Sequence, residues 1–145
     1  MSSEFERMIE ERRLTQIKVD RDLTLKEIRE ARADLIEAKD SLERNRFKWA
    51  TIQGYYSMFH AARALIYSRG FREKSHYALL VALRNLFIKD LGTKLIEDFE
   101  GAMSLRQEAD YGLTFSEAGA KETIEAAEIF LKKAKEILKN LGKNL

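Results

Sequence analysis

The stretch from Phe47 to Arg69, FKWATIQGYYSMFHAARALIYSR, constrains the fold more than any other part of the chain. Its apolar residues recur at helical spacing, yet they run almost all the way round instead of along one stripe. On a wheel with 3.6 residues per turn, Trp49, Ile52, Tyr56, Phe59, Arg63 and Ile66 fall on one broad side, and Ala50, Gly54, Ala61 and Ala64 on another. The second side is small enough to let a neighbouring helix come close. A helix that is apolar around its circumference belongs in the middle of a bundle. One row breaks the rule. Gln53, Tyr56, His60, Arg63 and Tyr67 recur at spacings of three and four and so stack along one stripe. Polar groups on a central helix need partners, and that stripe is the first pointer to function.

The rest of the chain reads as helices to sheathe this one. There is no proline among 145 residues and there are only seven glycines, which fits long unbroken helices and not a loop-rich β fold. Ser3 with Glu6, Thr24 with Glu27 and Thr114 with Glu117 have capping-box spacing and predict three helix starts. The first opens a short polar helix to about Ile17, which either moves freely or docks on a partner. The second opens an amphipathic helix to about Arg44, with Leu25, Ile28, Leu35 and Leu42 inward. Asn45 is expected to cap the central helix and Gly70 to stop it. Ser75 is expected to cap a helix through about Asp90, and a further helix carries Leu95, Ile96, Phe99, Met103 and Leu105. A loop is expected around Tyr111 to Leu113, then a last helix to about Asn140 burying Ile124, Ala127, Leu131, Ala134, Leu138 and Leu141. The expectation is an all-α, up-and-down antiparallel bundle of four to five main helices over residues 20–145, with residues 1–19 as a polar helix or arm.

Cysteine is absent, which excludes a disulfide frame, thiolate chemistry and a Cys-based zinc site. No apolar run approaches the ~20 residues that span a bilayer, and the charged opening MSSEFERMIEERR has no signal-peptide core. A cytoplasmic protein with no membrane partner is expected. Net charge is only +2, but its distribution is uneven: nine basic residues and a single acid, Glu73, lie between Arg44 and Lys89. That asymmetry suits phosphate-rich partners if it becomes a surface, and is unremarkable if acids from elsewhere fold against it.

Two histidines carry the candidate chemistry. His60, three residues before Arg63, reads as a hydrogen-bonded core or interface histidine, or else as a proton carrier or phosphate contact. His76 opens a helix just after Arg69, Arg72 and Lys74. Free N–H groups there suit an anion, and the same field disfavours the imidazolium; the alternative is an exposed cap-turn histidine. Glu73 and His76 match Glu-x-x-His, but a di-iron bundle needs two such pairs and two more carboxylates, so no metal site is expected and no cofactor is implied. Neither a Gly-x-Ser-x-Gly turn nor a glycine-rich phosphate loop is present. In SLRQEADYG, Arg106 and Asp110 have i, i+4 spacing and either lock a helix end with Tyr111 or bring Arg106 to a phosphate.

GYYSMFHAARALIYSRG, followed by KSH and by SLRQEADYG, resembles the prokaryotic HEPN domains (higher eukaryotes and prokaryotes nucleotide-binding) over about residues 20 to 141. The resemblance implies a helical bundle, usually dimeric, often paired with a minimal nucleotidyltransferase as antitoxin. It also implies, for many members, metal-independent RNase activity from a motif of Arg, four to six residues, then His. In such chemistry the His moves the proton of an RNA 2′-OH and the Arg steadies charge on the phosphate. Two mappings are open. Arg69 and His76 fit by spacing; Arg106 and Tyr111 fit by place in the chain, with tyrosine standing where histidine is expected. A phenol with an ordinary pKa of about 10 is no base near neutral pH. The expectation is therefore a nucleotide- or RNA-binding protein using His60, Arg63, Arg72, Lys74 and Asp110, and alternatively an endoribonuclease or a non-catalytic adaptor.

Overall fold

The computed structural model describes residues 2–108 and 115–142. Its helices are α1 (Ser3–Glu10), α2 (Arg21–Glu43), α3 (Phe47–Ser68), α4 (His76–Leu86), α5 (Ile88–Leu91), α6 (Thr93–Glu108) and α7 (Glu117–Asn140). Two short strands, β1 (Leu14–Gln16) and β2 (Phe71–Glu73), pair antiparallel with Leu14 opposite Glu73. The protein is an all-α bundle with one small ribbon.

The apolar stretch forms α3, and it lies at the centre: α2, α4, α6, α7 and β2 all pack on it. Ala50, Ala61 and Ala64 are fully buried. At Gly54 α7 comes close, for a Cβ there would sit 3.0 Å from Thr123 Cγ2 and 3.7 Å from the Ile124 backbone. Replacing Gly54 with leucine should cost about 2–3 kcal/mol by forcing α3 and α7 apart, despite leucine's better helix propensity; urea unfolding measures it. Trp49 departs from the wheel: in the first turn of α3 it is 53% exposed, with the Lys48 ammonium 5.3 Å over its ring.

Helix ends differ from the capping-box reading by a residue or more. Ser2, Asp20 and Ser116 are the N-caps, accepting from Phe5, from Asp22 and Leu23, and from Gly119. Thr24 lies inside α2 and its hydroxyl donates to the Asp20 carbonyl. Asn45 has φ +60° between α2 and α3 and does not cap. Ser75 does cap α4, accepting from Ala78 N at 3.0 Å. That helix stops at Leu86, because Phe87 leaves helical geometry and turns into the core, and α5 restarts the chain. In α7 the expected face is buried except Leu141, which is exposed beyond the helix end.

The opening segment is shorter as a helix and more embedded than a polar arm. α1 ends at Glu10, a turn follows, and Phe5, Met8 and Leu14 join the core. No helix among the described residues is long and apolar enough to cross a membrane.

Candidate phosphate site

Two polar clusters occupy the polar stripe of α3. The first is built around Glu27. It sits on the row Thr24, Glu27, Ile28, Ala31 that α2 buries, so its side chain is only 7% exposed. One carboxylate oxygen lies 2.6 Å from His60 Nδ1 and the other 3.0 Å from an Arg63 nitrogen. Arg63 Nε lies 3.1 Å from a Glu73 oxygen, and the guanidinium also donates to the Tyr67 hydroxyl. Asp34 stands 3.6 Å from the second His60 nitrogen. Burial pushes the Glu73 carboxyl up and Arg63 opposes it. For Arg63, burial works against the charge, but Glu73 and Glu27 outweigh it and lift its pKa. Asp34 is raised by burial against the pull of His60. Further along the stripe, the Gln53 amide meets the Ser41 hydroxyl at 2.7 Å. His60 and Arg63 are thus already engaged by carboxylates.

The second cluster is different. His76 opens α4, and the Tyr55 hydroxyl lies 2.5 Å from its Nδ1. The imidazole stacks on Phe59 at 4.6 Å and on Tyr55 at 5.7 Å, with Tyr56 at its edge. Arg106, reaching in from α6, holds its guanidinium 5.8 Å over the Tyr56 ring. Among the described residues it has no carboxylate partner. Burial lowers the His76 pKa, and the charges of Arg106 and Arg63 lower it further. Burial raises the Tyr55 phenol far above its usual range, with Tyr56 adding to the effect and Arg106 opposing it.

These directions fix the proton inventory. Tyr55 keeps its proton and His76 is neutral near pH 7. If Nδ1–H donated to Tyr55, the buried phenol proton would have no acceptor among the described residues, which is costly. Tyr55 O–H therefore donates to Nδ1, the ring proton sits on Nε2, and Nε2–H is left to donate to a ligand.

A lowered histidine pKa also sets a pH dependence. The unfolded chain protonates His76 first as pH falls, so the stabilisation is complete above about 6.5 and is lost as pH drops through the folded value. The stability of wild type relative to His76→Gln should decline over that window; urea unfolding of both across pH 7 to 5 measures it.

Of the two mapped pairs, Arg69 and His76 share no direct contact among the described residues, and the other includes Tyr111, which lies outside them. Arg69 is exposed and holds its guanidinium 5.6 Å over Phe87, whereas the cations acting on His76 are Arg106 and Arg63. Arg72 lies 5.7 Å over Tyr67 and Lys74 is exposed on the strand's outer side. Asp110 and Tyr111 lie outside the described residues. Glu73 and His76 do not converge: one is bound to Arg63, the other to Tyr55. Sequence reasoning missed Glu27, taken for a capping residue, and Tyr55. Glu27 could have been found as the one acid on the row that α2 buries; nothing distinguished Tyr55 from its neighbours.

The fold is thus a helical bundle with a partly exposed imidazole and, with no carboxylate partner among the described residues, a guanidinium against the same aromatic ring. The model of the HEPN domain matches residues 25–144, and the chain belongs to that family. A protein of Methanocaldococcus jannaschii named "Putative toxin MJ0142" is 32% identical over 115 residues, covering 76% of this chain and 77% of that one. A "UPF0332 protein" of Archaeoglobus fulgidus is 33% identical, covering 74% and 89%. A second Methanocaldococcus jannaschii protein, "Putative toxin MJ0605", is 29% identical over 77% of this chain and 85% of its own.

Proposed function

We propose that this chain is a toxin-like HEPN protein in which Arg106 and His76 take a phosphate of RNA or of a nucleotide. One observation carries the reading: two donors without acceptors among the described residues, Nε2–H of a neutral His76 and the Arg106 guanidinium, stand together against aromatic rings. A phosphate oxygen satisfies both, and a guanidinium–phosphate bond is among the stronger hydrogen bonds. Tyr56 and Phe59 are only partly buried, so an unstacked base has a ring to lie on. Toxin names among the relatives support a two-component setting, in which a second copy of the chain and a minimal nucleotidyltransferase are the partners. Titration of a labelled single-stranded RNA at low salt tests the binding: affinity should fall steeply as salt rises, and absence of binding at low salt would sink the proposal.

Metal-independent RNA cleavage is a second reading, favoured by the neutrality of His76. It asks for Nε2 as a base, so the ring must first take its other tautomer: Nε2 gives its proton to water, Nδ1 takes one from water, and the Tyr55 hydroxyl turns to accept from Nδ1–H. Cleavage that persists in EDTA and vanishes in His76→Ala would support it. An RNA ladder left intact by long incubation would remove it and leave the binding reading standing.

A further inference from the structure

The opening segment, residues 2–20, lies ahead of the family match, which begins at residue 25, yet it is built into the same structure as the His76–Arg106 site. Phe5 packs edge-on against Phe71 with centroids 5.5 Å apart. β1 is the only strand paired with β2 among the described residues. The pairing runs on past both strands: Lys74 N donates to the Arg13 carbonyl at 2.9 Å, and Ile17 N to the Gly70 carbonyl at 2.9 Å.

Strand alternation decides what this ribbon shows to solvent. Leu14 and Glu73, opposite each other, both turn inward: Leu14 is 1% exposed and Glu73 is on Arg63. Their neighbours therefore turn outward together. Arg72 faces out across from Thr15, and Arg13 faces out across from Lys74. Lys18 follows just past the strand and is exposed. The single acid of β2 is spent on the interior, so the outer face is left cationic. Among the described residues the carboxylate paired with it is Glu11, 3.7 Å from Arg13, with both side chains about half in water, a pair of small worth.

We infer that the β1–β2 ribbon is a phosphate-backbone track for RNA, in which the opening segment supplies Arg13 and Lys18 alongside Arg72 and Lys74, guiding the strand toward the His76–Arg106 site. This rests on that site being directed at RNA. The two sites are near neighbours: Arg72 and His76 are four residues apart, at most ~14 Å of chain. Packed side chains link them, from Arg72 over Tyr67, through Arg63 bonded to Tyr67 and lying over Phe59, to His76 stacked on Phe59. An extended polyanion is the ligand that uses separated cations in a row; a mononucleotide would need the His76–Arg106 site alone.

The test is a double charge reversal on the opening segment, Arg13→Glu with Lys18→Glu, in the full chain. Both side chains are exposed, so the thermal midpoint should not move. Affinity for single-stranded RNA should drop about tenfold at low salt, and the slope of log affinity against log salt should shrink by about 2. Binding of a mononucleotide such as AMP should be unchanged. RNA affinity and slope equal to wild type would overturn the track while leaving the His76–Arg106 site intact. Equal losses for RNA and AMP would also overturn it, since the reversal would then act on that site itself. A loss confined to anionic lipid vesicles, with RNA binding kept, would assign the ribbon to a membrane surface instead. If wild type binds no RNA at all, the reading of the His76–Arg106 site fails first.

Discussion

Glu27→Ala should destabilise the fold by about 3 kcal/mol. Breaking a buried ion pair by removing one partner costs ~3–5 kcal/mol, because the other charge stays buried and uncompensated. Here one carboxylate serves two partners, His60 and Arg63, and its loss leaves both. The figure belongs at the low end for two reasons. Arg63 keeps Glu73, and the His60 and Arg63 side chains are 19% and 18% exposed, so water reaches them. Glu27→Gln keeps the shape and one hydrogen bond and should cost less. Urea unfolding with an unchanged m-value measures both. A loss under 0.5 kcal/mol for the alanine variant, ordinary for a surface site, would mean that the cluster does not hold α2, α3 and β2 together.

Arg106→Ala should weaken RNA binding by ten- to a hundredfold at low salt, the equivalent of about 1.5–3 kcal/mol for a charge-assisted hydrogen bond. Its guanidinium lies over the Tyr56 ring and has no carboxylate to leave unpaired among the described residues, so the fold should tolerate the change. Arg106→Lys should recover part of the affinity, since it restores charge but not the planar fork. Arg69→Ala is the control: that side chain lies over Phe87, and its removal should change affinity less than threefold. Equal effects at the two positions would show that only bulk charge matters and would remove the assignment of the site.

The contrast between Arg63 and Arg106 explains why the site was only half legible in the sequence. Both are arginines near aromatic residues on helices that face the core. Local spacing puts Arg63 on the polar stripe with His60, and that stripe is present. Local spacing cannot say that Glu27, 36 positions earlier, folds onto it and occupies it. Nor can it say that Arg106, 30 positions after His76, arrives near it. The capping-box pattern at Thr24 and Glu27 misled for a related reason. The true cap, Asp20, sits four residues upstream of Thr24, and a threonine one turn inside a helix has the same sequence spacing to a glutamate as one at its end.

The sequence alone determined the helical class, the central place of α3, its small-residue side for a close neighbour and the serine cap of α4. Each follows from periodicity, from side-chain volume or from a side chain bonding its own backbone neighbour, and such forces act over a few residues. Tertiary structure alone decided which cations are neutralised, which nitrogen of His76 keeps its proton and which strand braces β2. Those outcomes depend on burial and on charges or donors brought together from distant parts of the chain, and distance in space is set only once the helices have packed.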